Sequence, residues 1–74
     1  MDVRLDDHGT GWFGISVELT NEEIEQLISR LRDVQAGRSG HFHFRSAAFD
    51  ADSGVSDIEW SMTPDESLAN MLIE

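Results

Sequence analysis

The stretch Leu19-Thr20-Asn21-Glu22-Glu23-Ile24, running on to Val34-Gln35-Ala36-Gly37, decides the fold, because it spells a helix with both ends marked. Thr20 is an N-cap whose hydroxyl can accept from an orphan backbone N–H, and Glu23 can reach back to the Thr20 amide to close a capping box. Leu19 and Ile24 stand at the two positions of a hydrophobic staple. Ile24, Leu27, Ile28, Leu31 and Val34 follow helical spacing, and Gly37 supplies a left-handed stop.

Strand signals flank this helix on both sides. Upstream, Phe13, Ile15, Val17 and Leu19 alternate with Gly14, Ser16 and Glu18, the period of a half-buried strand. Before it, Val3 and Leu5 alternate with Arg4 and Asp6, and Asp7-His8-Gly9-Thr10-Gly11 is a turn by composition. Downstream, Phe42 and Phe44 oppose His41, His43 and Arg45, while Ile58, Trp60 and Met62 oppose Asp57, Glu59 and Ser61. Thr63-Pro64-Asp65-Glu66 repeats the helix-start grammar ahead of Leu68, Met71 and Leu72. The expected order is β-β-α-β-β-α. That is a single α+β domain over 1–74, with a small antiparallel or mixed sheet of about four strands and two helices on one face.

Two registers keep the aromatic and the polar residues of the second strand pair on separate faces. One places Asp50 to Gly54 in the loop and sets Phe44 opposite Trp60, Phe42 opposite Met62 and Arg45 opposite Glu59. The other, two residues shorter, sets His43 opposite Glu59 and Arg45 opposite Asp57. Either way the outward face carries His, Arg and carboxylates.

Composition narrows the function classes. The 74 residues include 15 acidic and 5 basic ones, for a net charge of −10, and no cysteine. That charge repels phosphate backbones and anionic membranes, so neither nucleic acid nor membrane is an expected partner. It favours encounter with a basic protein and keeps the chain soluble. Without cysteine there is no disulfide and no thiolate metal site. The N-terminus opens no apolar leader, so a cytoplasmic protein is expected. A domain this small has a thin core, and self-association into a homodimer is one way to bury more apolar surface.

His41-Phe42-His43 is the most chemical-looking motif. Histidines two apart on a strand share a face and can converge on one metal ion, which Asp57, Glu59 or His8 could complete. The alternative is a solvated face where imidazoles pair with neighbouring carboxylates. Asp50-Ala51-Asp52-Ser53-Gly54 begins like a calcium loop, but its glycine comes one position early and no Glu closes it. Gly9-Thr10-Gly11-Trp12-Phe13-Gly14 precedes a strand, where a phosphate loop would follow one. No Ser or His sits in a nucleophile setting, so neither an enzyme nor a cofactor is expected. Trp12, Phe49 and Val55 remain as aromatic or apolar residues beside charged ones, the composition of an interface.

From Leu19 to Ile73 the sequence resembles the immunity protein 32 group of bacterial polymorphic toxin systems. The likeness is carried by Thr20-Asn21-Glu22-Glu23-Ile24 with Leu27, Ile28 and Leu31. It continues in Gly40-His41-Phe42-His43-Phe44, in Val55-Ser56-Asp57-Ile58-Glu59-Trp60 and in Asn70-Met71. The resemblance implies a cytoplasmic α+β protein that binds and neutralises a toxin. Together with the charge, it leads to an expected acidic, non-enzymatic binding module for a basic protein. The candidate contact residues are His41, His43, Arg45, Phe49, Asp57 and Glu59.

Overall fold

The helix forms as its caps dictate. In the computed structural model, which describes residues 1–47 and 53–74, α1 spans Asn21–Gln35. The Glu23 amide donates to Thr20 Oγ1 at 3.2 Å, and the Thr20 amide donates to Glu23 Oε1 at 3.1 Å. At the other end Gly37 takes φ +77°. There the Arg38 amide reaches the Asp33 carbonyl at 2.9 Å and the Gly37 amide reaches that of Val34 at 3.1 Å. These two bonds close a Schellman motif, so the last carbonyls do not face solvent alone.

Four strands form where the alternation places them. β1 (Asp2–Asp7) pairs antiparallel with β2 (Phe13–Glu18), setting Val3 opposite Val17, Leu5 opposite Ile15 and Asp7 opposite Phe13. Gly9 and Gly11 take φ of +75° and +88° in the connecting loop, a conformation any side chain would strain. β3 (His41–Arg45) pairs antiparallel with β4 (Asp57–Ser61) in the shorter of the two registers, with Phe42 opposite Trp60 and His43 opposite Glu59. Arg45 then stands opposite Asp57, and the pairing of Phe42 with Met62 does not occur.

The expected single sheet of about four strands with two helices does not form. The strands make two separate two-stranded sheets, β1-β2 and β3-β4. Alternating polarity assigns faces to a strand, whereas joining two hairpins is a choice between backbone edges that side-chain pattern does not encode. The expected second helix is also absent. Asp65, and not Thr63, caps a single 3-10 turn over Glu66–Leu68, accepting from the Ser67 amide at 2.9 Å and the Ser67 hydroxyl at 2.8 Å. Such local side-chain bonds compete with helix propagation, and the few residues beyond cannot offset the cost of nucleation.

What core there is lies between α1 and β3-β4. Phe42 stacks on Trp60 with ring centroids 5.9 Å apart and planes 2° from parallel, and Phe44 meets Trp60 at 5.3 Å with a tilt of 54°. Leu27 of the helix shares an open depression with Phe42 and Phe44. Val34 is the one buried hydrophobic residue among the described ones, and the aromatic trio is half-buried. The N-terminal ammonium donates to Glu23 Oε2 at 2.8 Å, tethering the start of β1 to the first turn of α1. Among the described residues, no helix is long and apolar enough to cross a membrane.

Candidate functional site

Odd-numbered positions of β3 and β4 point away from the aromatic cluster, so the register brings His41, His43, Arg45, Asp57 and Glu59 onto one face. His43 is the centre of this group. Its Nδ1 lies 2.9 Å from Asp57 Oδ1 and 3.2 Å from Oδ2. Its Nε2 lies 3.6 Å from Glu59 Oε1. The His41 ring meets the His43 ring edge-on, with centroids 5.1 Å apart. One ligand atom each from His41, His43 and Glu59 falls within 4.8 Å of the other two. Arg45 extends into solvent, its Nε 3.5 Å from Asp57 Oδ1. That contact is too long and too exposed to contribute much stability.

Of the possible completing ligands, Glu59 is the one in place. Asp57 is engaged on the far nitrogen of His43. His8 belongs to the other hairpin, where its Nε2 stands 3.5 Å from Asp6 Oδ2 and lies over Gly14. A Cβ at position 14 would come within 3.2 Å of that nitrogen, so the glycine makes room for the ring. The candidate contact residue Phe49 and most of the Asp50-to-Gly54 loop lie outside the described residues. Trp12 is exposed, whereas Val55 is half-buried and lines a depression with Val3, Phe44 and Ile58.

A second candidate surface is apolar, and the sequence pattern had assigned its residues to a core. Val3, Leu5, Phe13, Ile15 and Val17 share one face of β1-β2 by register. Phe13 and Ile15 remain 56% exposed and Leu5 49%. On α1, the stripe Ile24, Ile28 and Leu31 is likewise exposed. Ile28, Leu31 and Val34 line an open groove with Ser61 and Met62 of the other hairpin. The signal for these faces was already in the alternation and helical spacing. What it lacked was any mark of whether this chain or another covers them.

Two carboxylates are shifted by their surroundings. The N-terminal ammonium holds Glu23 below the usual glutamate range, helped by the Thr20 amide. The Ser67 hydroxyl and amide hold Asp65 below the usual aspartate range. Both serve caps. Trp60 Nε1 is enclosed without a hydrogen-bond partner among the described residues. No family model, curated protein or solved structure matches this chain.

Proposed function

We propose that this chain is a non-enzymatic, acidic protein-binding module that completes its apolar core on a basic protein, as an inhibitor or immunity protein would. The observation that carries this reading is surface area. A compact monomer of 8.3 kDa exposes about 4,600 Å² by the usual scaling, whereas this chain exposes 6744 Å². The excess, roughly 2,100 Å², is what one partner contributes to a large obligate interface. Chain dimensions agree: the radius of gyration is 14.2 Å, against about 11 Å for a compact chain of this length.

Apolar residues and open edges supply the contact. Leu5, Phe13, Ile15 and Val17 on β1-β2, with Ile24, Ile28 and Leu31 on α1, are the exposed aliphatic and aromatic groups a partner would cover. Among the described residues, neither two-stranded sheet has its outer edges paired, and an isolated hairpin is marginal in water. Charge selects the occupant. A chain at −10 repels a second copy of itself and attracts a basic surface, raising the association rate.

The test is capture of partners on wild-type chain and on an Ile15→Asp/Val17→Asp variant, with elution along a salt gradient. The recovered protein is then purified and titrated back by calorimetry. The expected result is one basic protein binding 1:1, with a negative heat-capacity change, an on-rate that falls with salt, and no binding to the variant. A chain that sediments alone as a tight dimer at micromolar concentration, and captures no basic protein, overturns the reading.

A further inference from the structure

We infer that His41, His43 and Glu59 form a binding site for a divalent transition-metal ion of the zinc type, with Asp57 as the residue that positions His43. The site occupies the face of β3-β4 opposite the aromatic cluster, so it stands independently of the protein-binding surface.

Geometry separates a metal site from a row of surface ion pairs. Zinc bonds to imidazole nitrogen and carboxylate oxygen at about 2.0–2.2 Å, so two ligand atoms on a tetrahedral ion lie about 3.3 Å apart. His43 Nε2 and Glu59 Oε1 are 3.6 Å apart, beyond a hydrogen bond and close to that ligand spacing. The third donor, from His41, falls within 4.8 Å of both. Small side-chain rotations bring the three onto one ion. Neighbouring alternate positions on one strand and a directly opposed residue on the next give the set a rigid base.

The strongest observation is on the other side of the ring. Asp57 holds His43 Nδ1 through both carboxylate oxygens, at 2.9 and 3.2 Å. A proton on Nδ1 donated to Asp57 leaves the Nε2 lone pair free, and Nε2 is the nitrogen turned toward Glu59. A carboxylate behind a histidine is the arrangement that orients metal-bound imidazoles and raises their basicity. The two imidazoles are borderline donors, and beside a single hard carboxylate they suit zinc over magnesium or calcium, which favour all-oxygen sets. Three protein ligands leave a fourth tetrahedral position open to water.

The experiment uses the untagged full chain, stripped with chelator and titrated with zinc sulfate alone. Native mass spectrometry reads stoichiometry, calorimetry reads affinity, and histidine nitrogen resonances read the ligating atom. One zinc per chain is expected, held against excess magnesium, with a large shift at His43 Nε2 and not at Nδ1. His41→Ala and Glu59→Gln change exposed residues, so both chains should keep the wild-type circular dichroism while losing saturable binding. Asp57→Asn should keep the stoichiometry, weaken zinc about 10- to 100-fold and mix the His43 tautomers, which a purely structural role would not do. An unshifted wild-type mass overturns the inference. So does unchanged affinity in both ligand variants, which would place the ion on the general carboxylate surface.

Discussion

The two hairpins carry the same alternating pattern and meet different fates. In β3-β4 the apolar face holds Phe42, Phe44 and Trp60, which touch one another and share a depression with Leu27 of α1. In β1-β2 the apolar face holds Val3, Leu5, Phe13, Ile15 and Val17, and most of it is exposed. Large rings explain part of the difference. Three aromatics can cover one another across a narrow hairpin, whereas aliphatic side chains on two strands need a second layer. Alternation therefore reports that a face seeks cover without reporting what covers it.

That contrast can be broken most directly in the two hairpins. Trp60→Ala should destabilise the chain by about 3 kcal/mol, the low end for a large aromatic because the site is only half-buried. Ile15→Ala, at a residue 56% exposed, should cost under about 1 kcal/mol in the free chain. Urea unfolding of both measures the difference, and equal losses would mean that β1-β2 is as well covered as β3-β4.

A second contrast lies in the two capping grammars. Thr20-Asn21-Glu22-Glu23 opens a 15-residue helix, while Thr63-Pro64-Asp65-Glu66 leads only to a short 3-10 turn. Thr20→Ala should therefore cost about 1 kcal/mol. Thr63→Ala, whose hydroxyl bonds within its own turn among the described residues, should stay within about 0.5 kcal/mol. Thermal melts followed at the helix band distinguish them, and a large loss at Thr63 would indicate a longer helix in solution.

The smallest effect is electrostatic. Glu23 is held below its ordinary value in the folded chain by the N-terminal ammonium and the Thr20 amide. A depressed carboxylate contributes stability that is fully present above its unfolded value, about 4.3, and is lost as pH falls through the lower folded value. Stability should thus decline on acidification below about pH 4.3, and Glu23→Gln should flatten that part of the profile. An unchanged slope in the variant would show that the tether between β1 and α1 does not persist in solution.

Much of the candidate metal face was legible in the sequence, because His41 and His43 share a face on any strand. Even the register had been narrowed to two choices by requiring aromatic and polar residues to stay apart. Selecting Glu59 over Asp57 and His8 was not legible. That choice depends on which carboxylate stands beside Nδ1 and which beside Nε2, a matter of a few ångströms set by side-chain rotation. The exposure of Leu5, Ile15, Ile24 and Ile28 was hidden for a different reason. Periodicity marks the same residues whether their cover is intramolecular or belongs to a partner.

By itself the sequence determined the local elements: α1 from the capping box to Gly37, the four strands, and the separation of aromatic from charged faces. These follow from hydrogen bonds and side-chain directions within a few residues of each other. Only the tertiary structure decided that the hairpins remain two sheets, that the last segment does not become a helix, and that His43 sits between Asp57 and Glu59. Each of those outcomes is a competition among backbone edges, nucleation cost and distant side chains, and short-range pattern carries no term for any of them.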